Sequence, residues 1–392
     1  MPVELDPYSE AFRVDPYPTY ARLQREAPVY RNVELDFWAL TRHRDVAAAL
    51  RDPTRFSSNN GPLLDPSIWG PNAHKVLSFV AMDAPRHTVM RALAAPVFGP
   101  AQVAALEPEI VRITRSHLEP ALERGSFDFV ADLAANVPMD VISELIGVPP
   151  AERRTVRHMA NQAADRPPGS RDVPPDGAAA LAKLVEYLLG LIAERRRRPR
   201  EDLTSALVTA RTEGRPLTDQ EIIACLVLLV AAGNETTTRL IAAAWYWAWR
   251  NPDQRKIAFS GGIEDWIAET LRYDSPVQYV LRTTTQEVEV SGTGLPRGAR
   301  ILLLQAAANR DPEVFTDPGR YDLGRDTRRT IAFGLGPHFC LGAPLARLEA
   351  KVVLGELATR VGHYDIDADR ARPAYAGTAR GFASLPTMVK PR

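Results

Sequence analysis

The 392-residue chain has only two cysteines, Cys225 and Cys340, far apart in sequence. Two distant thiols make no disulfide framework and favour a reducing compartment, so a cytoplasmic location is expected. They are also too few for a cysteine-built zinc cluster. Net charge is missing too. Lys plus Arg and Asp plus Glu number 48 each, which gives no support to binding of nucleic acid or a membrane surface. The longest strongly apolar run, IIACLVLLVAAG from Ile222, holds 12 residues, short of the roughly 18 that span a bilayer. The stretch MPVELDPYSEAFRVDPYPTYARL is broken by prolines and acids and lacks a signal-peptide core. Internal repeats, long low-complexity tracts and flavin or iron–sulfur motifs are absent. What is there is 45% apolar and 24% charged, the balance of a globular chain with a large core.

Apolar residues three and four apart predict helices over Ala101 to Arg124, Phe129 to Ile146 and Ala178 to Arg197. Strand-like stretches gather in PVYRNVELDFWALT and between Val277 and Leu304. The expected fold is mainly α (α-rich α+β) with a small sheet, as a single domain over residues 1–392. Two proline-broken loops, SSNNGPLLDPSIWGPN and DRPPGSRDVPPDG, read as disordered linkers or mobile lids, near residues 57–80 and 165–177. The run ERRRRPRED from Glu194 reads as a solvated helix end.

The longest helix is clearly punctuated. Thr218 and Glu221 form a capping box, and Asn251-Pro252 closes the far end. About 32 residues lie between, roughly 48 Å at 1.5 Å per residue. Its first half is apolar nearly all round and should be buried. Its middle reads AAGNETTT, where Gly233 costs about 1 kcal/mol relative to alanine and a buried Glu235 needs a partner or water. Two readings stand side by side. One is a local kink with hydroxyls bonding back to carbonyls. The other is a bulge opening the backbone to a ligand and a water, with Glu235 and Thr236 as a proton-delivery pair.

Cys340 lies in FGLGPHFCLGAPLAR, residues 333 to 347. Four roles compete: a buried structural thiol, a zinc ligand, a nucleophile paired with His338, and a thiolate ligand to haem iron. A structural thiol needs no flanking glycines, and zinc wants more cysteines nearby. The helical pattern after Cys340 puts its sulfur at a positive helix end, which favours the anion. Pro344 is tolerated in a first turn. Gly334, Gly336 and Gly342 let the backbone turn sharply and bring N–H groups to the sulfur.

With these residues in view, FGLGPHFCLG resembles the haem-binding loop of the cytochrome P450 family. AGNETT, Ala232 to Thr237, is similar to the family's oxygen-binding groove, and ETLR, Glu269 to Arg272, to its E-x-x-R motif. MDAPRHTVMR, LRTTT and AANRDP also match, in family order. One departure is that Ala84 and Arg86 stand where soluble members often have proline and an acid; His87 and Arg91 stay in register. The resemblance implies the cytochrome P450 fold, a long central helix over haem b (iron protoporphyrin IX), and the soluble bacterial branch. It implies Cys340 as axial ligand to the haem iron, with Phe333, Gly334, Gly342, Ala232 and Gly233 beside the cofactor. His87, Arg91, Arg282 and His338 would meet the propionates. Glu235 and Thr236 would be catalytic, and Glu269 with Arg272 a structural pair.

The implied activity is insertion of one atom of dioxygen into a hydrophobic small molecule, by hydroxylation or epoxidation, in bacterial secondary metabolism or catabolism. Electrons would come from NAD(P)H through ferredoxin reductase and ferredoxin, docking near Arg347 and Lys351. A monomer is expected, with no nucleic acid or membrane partner. The implied substrate pocket includes Trp69, Phe79, Val80, Ala231, Val277, Tyr279, Leu281 and Phe382. The alternatives are a peroxide-driven haem-thiolate oxidase and a non-catalytic haem sensor or carrier.

Overall fold

The computed structural model describes residues 3–167, 169–212, 214–374 and 377–392. Its axis is the helix Asp219–Arg250, 32 residues long, capped by the reciprocal Thr218–Glu221 box and closed at Asn251 as the sequence predicts. This helix is long and apolar enough to cross a membrane, yet most of it is buried within the protein. The helices Asn136–Ile146, Ile263–Tyr273 and Ala343–Arg360 pack around it. They bury one continuous apolar core along its length. Trp245, fully enclosed, anchors its second half: the ring stacks on Tyr364 at 3.5 Å and on Phe129 at 5.1 Å between centroids.

Helix accounts for 54% of residues, and the sheets are small, so the α-rich α+β expectation holds. The largest sheet has five strands in the order Val29–Asn32, Phe37–Leu40, Arg300–Leu303, Val280–Thr284 and Phe56–Ser57. Among the described residues only Arg300–Leu303 on Phe37–Leu40 is a parallel pairing, with Ile301 opposite Trp38. In register, Ile301 also faces Arg282 on the antiparallel side. Two smaller core clusters cover the sheet's faces.

Two predicted helices are divided. Ala101 to Arg124 breaks at Leu106, between Pro100–Ala105 and Glu107–Arg124. The cause is Pro108, which suits a first turn but lacks the N–H to continue one. Phe129 to Ile146 opens as a wide turn, Phe129–Ala134, before the α-helix Asn136–Ile146. There Asp128 caps the backbone N–H groups of Val130 and Ala131.

The two proline-broken loops are tied to each other. Arg166 Nε meets Asp65 Oδ1 at 2.8 Å in a pair under 10% exposed, and Ser67 bonds Asp172 through backbone and hydroxyl at 3.1 and 2.6 Å. Pro168, in the second loop, lies outside the described residues. In the charge run, Arg195 is not solvated: it is 2% exposed, bonded to Asp202 at 2.5 Å and to the Gly147 carbonyl at 2.6 Å.

Candidate active site

The cysteine loop is shaped by close backbone approach. Gly334 and Gly336 hold φ of 72° and 69°, a region that disfavours side chains. At Gly336 a Cβ would stand 2.7 Å from the Leu50 carbonyl oxygen, so only glycine lets the loop lie on the end of helix His43–Arg51. The Cys340 N–H donates to the Phe333 carbonyl at 2.9 Å, which closes the turn. The helix Ala343–Arg360 starts directly afterwards, with Pro344 in its first turn. The Cys340 sulfur accepts hydrogen bonds from the Gly342 and Ala343 N–H groups.

Burial nonetheless pushes the Cys340 thiol up; the two N–H groups and Arg91 pull it back only in part. The helix start does favour the thiolate, as expected from the sequence, and burial opposes it; a bound metal cation would add to the pull of the N–H groups. The other cysteine, Cys225, is enclosed in the main core, and burial pushes its thiol up to about 12. It is a packing residue. Among the described residues no three His, Cys, Asp or Glu side chains gather as a metal cluster, which removes the zinc reading. His338 donates to the Met82 carbonyl and lies against His87, with ring centroids 4.1 Å apart, which leaves the nucleophile reading without support.

Four basic side chains converge here from one helix, one strand and the cysteine loop. The helix Arg86–Ala94 carries His87 and Arg91 one turn apart, the strand Val280–Thr284 carries Arg282, and the loop carries His338. Arg91 donates to the Phe339 carbonyl at 2.7 Å. Arg282 is 5% exposed and donates to the Leu281 carbonyl; no carboxylate stands within ion-pair distance of it among the described residues. Burial and then the charges of Arg282, His87 and Arg91 hold His338 down to about 2, and burial brings Arg282 to about 10. The adjacent Asp83 is committed to Ser57 Oγ at 2.5 Å and to the Ser58 N–H at 2.8 Å. His87 Nε2 is buried with no partner.

Two guanidinium cations, one of them buried, beside an orphaned imidazole nitrogen are unstable without an anion. Two carboxylates on one planar group would satisfy it, and Cys340 lies close enough for its charge to act on Arg91. The donor set thus fits a haem, with sulfur for the iron and His87, Arg91, Arg282 and His338 for the propionates.

The central helix supplies an opening. Ala231 and Ala232 are exposed although Val230 and Asn234 on either side are buried. The helix itself runs unbroken, so of the two readings of AAGNETTT the bulge is not formed. The threonines instead bond back: Thr236 Oγ1 donates to the Ala232 carbonyl and Thr238 Oγ1 to the Asn234 carbonyl, each at 2.8 Å. Gly233 lets the helix Asn136–Ile146 approach, since a Cβ there would lie 3.3 Å from Ile142. Burial pushes the Glu235 carboxyl up, opposed by Arg239, whose Nη2 is 3.4 Å from Oε1.

The expected pocket residues divide. Ala231 is exposed; Val80, Val277 and Phe382 are half-buried, and Phe382 packs on Tyr246 at 4.8 Å. Phe79 is buried with its ring edge toward His87 at 6.4 Å. Trp69, Tyr279 and Leu281 join the core cluster around the N-terminal segment. Leu281, fully enclosed by protein, offers no surface to a ligand, because its side of the strand packs inward. Near the cysteine helix, Arg347 lies over the Phe333 ring at 5.1 Å and Lys351 pairs with Glu264 at 2.9 Å.

Sequence spacing does not single out Glu349, yet it is buried on the helix Ala343–Arg360, with Thr237 as its hydrogen-bonding side chain among the described residues. Burial pushes its carboxyl up to about 8, so it is neutral at neutral pH. The folded state then binds a proton that the unfolded chain releases above about 4.5. Stability is expected to fall, by on the order of a few kcal/mol, as pH rises from about 4.5 through about 8. Glu349→Gln should flatten that slope in thermal unfolding measured across pH; an unchanged slope would refute the assignment.

Comparison with known proteins agrees with this geometry. The family model described as Cytochrome P450 matches residues 263–367, which hold the Glu269–Arg272 helix and the Cys340 loop. A protein designated cytochrome P450 123 in Mycobacterium tuberculosis is 48% identical over 99% of this chain and 97% of that protein. The vitamin D(3) 25-hydroxylase of Pseudonocardia autotrophica is 34% identical over 99% of this chain and 97% of its own length. The solved structure of cytochrome P450 CYP109Q5 from Chondromyces apiculatus superposes with a TM-score of 0.88, at 33% identity and complete coverage of both chains. With a thiol seated in backbone N–H groups beside four basic side chains that face no carboxylate partner of their own, and relatives alike over nearly its whole length, this chain belongs to the cytochrome P450 family of haem-thiolate monooxygenases.

Proposed function

We propose that the chain is a single haem-thiolate monooxygenase domain that inserts one atom of dioxygen into a hydrophobic small molecule, by hydroxylation or epoxidation. The observation that carries this is the buried basic cluster beside Cys340, with His87 Nε2 left without a partner. When bound, the haem supplies the oxygen activation and the oxidation itself, favoured by thiolate donation. The protein holds that group through Cys340 and the four basic side chains, and excludes water with Phe333 and the core around it. Glu235 is a protonatable group at the edge of the opening made by Ala231 and Ala232. Thr236 commits its hydroxyl proton to the Ala232 carbonyl, which leaves its oxygen lone pairs to hold a water or the oxygen substrate. Together they hold and pass on the protons that the reaction consumes.

The apolar residues expected around the pocket favour a substrate with little charge, and the name of the Pseudonocardia relative, a vitamin D(3) 25-hydroxylase, supports hydroxylation. Electrons come from NAD(P)H through ferredoxin reductase and ferredoxin, since the sequence carries no flavin or iron–sulfur motif. The test is reconstitution with these donors, labelled dioxygen and a library of apolar small molecules. One labelled oxygen per product is expected; product formed only with added peroxide, or without label, would sink the reading.

Thr236→Ala is expected to keep haem and substrate binding while product per NAD(P)H falls by about tenfold or more, the difference appearing as hydrogen peroxide. Electron counting against product checks this, and wild-type coupling would refute the role.

A further inference from the structure

We infer that Arg239 is a positioning residue for proton delivery, clamping the Glu235 carboxylate from one helical turn away while held in place by the Gly381–Phe382 turn. This rests on the role of Glu235 proposed above. The two residues share one face of the helix Asp219–Arg250, at i and i+4. Arg239 Nη2 meets Glu235 Oε1 at 3.4 Å, in a pair 13% and 20% exposed. On its other side Nη1 donates to the Phe382 carbonyl, and Nε is buried without a partner. The arginine stem lies hard against Gly381, where a Cβ would come within 2.6 Å of Arg239 Cδ. The guanidinium therefore has almost no freedom: helix, carbonyl and glycine together fix it.

The other charged groups acting on Glu235 are Arg166 and Asp165. Arg166 is already engaged by Asp65 at 2.8 Å, and Asp165 repels. Among the described residues Arg239 is the cation within ion-pair distance of Glu235. Its charge opposes the burial that pushes the Glu235 carboxyl up, so removing it must push that carboxyl higher still. A carboxylate that ionises only at higher pH, and is free to rotate, serves the relay later and less often.

The experiment compares Arg239→Leu, Arg239→Lys and Glu235→Gln holoenzymes in the ferredoxin-driven assay, across pH. Arg239→Leu is expected to keep the haem-thiolate spectrum, lose about tenfold in product per electron, and move the acid limb of kcat to higher pH. Arg239→Lys, which keeps the charge, should restore the acid limb and most of the coupling. Gly381→Ala, which displaces the arginine without removing it, should give an intermediate loss. If Glu235→Gln is damaging but Arg239→Leu matches wild type in coupling and acid limb, the clamp is refuted and the relay stands. If Arg239→Lys fails as badly as Arg239→Leu with the spectrum intact, charge is not what matters, and the inference is likewise overturned. If Glu235→Gln is itself without effect, the relay reading falls, and the clamp with it.

Discussion

Cys340→Ser yields a folded chain that no longer gives the reduced carbon-monoxide spectrum of a thiolate-ligated haem, with turnover down at least about a thousandfold. That loss corresponds to about 4 kcal/mol of transition-state stabilisation. Serine keeps the size and the loop: the N–H of residue 340 still reaches the Phe333 carbonyl, and Gly342 and Ala343 still present their N–H groups. What is lost is an atom that can ionise and share electron density with iron. Even the thiol is pushed up by burial, so a hydroxyl of far higher pKa has no prospect of losing its proton there. Thermal unfolding of the apoprotein should change by less than about 1 kcal/mol, which separates ligation from folding. A Cys340→Ser pigment with an unaltered reduced carbon-monoxide spectrum would remove the basis for the whole assignment.

The second large effect is structural. Arg272→Ala or Glu269→Ala is expected to abolish recovery of folded holoprotein, at a cost of about 3–5 kcal/mol or more. Both side chains are fully buried, and all five guanidinium N–H donors are spent. Arg272 Nε and Nη2 each meet Glu269 at 2.7 Å. The remaining three reach the carbonyls of Asn309, Pro318 and Arg320 at 3.0–3.1 Å. Glu269 in turn accepts from the Asp322 N–H at 3.0 Å and Arg325 Nε at 3.3 Å. Removing either partner leaves a buried charge, against a total stability of about 5–15 kcal/mol. Arg272→Lys should not rescue, because three donors on a point charge cannot serve five acceptor positions. Nor should an apolar pair replace it, since three backbone carbonyls would be orphaned. Expression yield and calorimetry decide the matter: a variant that melts with the wild type would show the pair to be dispensable.

Much of this was legible in the chain because the signals are local. The cap at Thr218 and Glu221, the stop at Asn251-Pro252 and the Glu269–Arg272 spacing act within one helical turn, where residue order alone dictates proximity. The Cys340 loop is likewise a short-range object of glycines and a helix start. The AAGNETTT reading went halfway. Residue types announced an irregularity, but the back-bonded hydroxyls satisfied the polar groups without breaking the helix.

What stayed hidden are pairs between segments distant in sequence. Nothing in the residues around Arg195 separates it from its exposed neighbours until Asp202 and the Gly147 carbonyl close on it. Asp65 and Arg166, 101 positions apart, join two loops that read as free lids. Leu281 and Ala231 are both small-to-medium apolar residues, and only packing decides that one is sealed and the other open.

By itself the sequence determined the helix that crosses the molecule and the spacing that pairs Glu269 with Arg272. These follow from hydrogen-bonding and dipole rules that operate over a few residues. Tertiary structure alone decided the burial of the Cys340 thiol, the gathering of Arg91, Arg282 and His338 around a His87 imidazole nitrogen without a partner, and the pairing of Arg239 with Glu235. Those depend on burial and on charges brought together by the fold, and both act through space rather than along the chain.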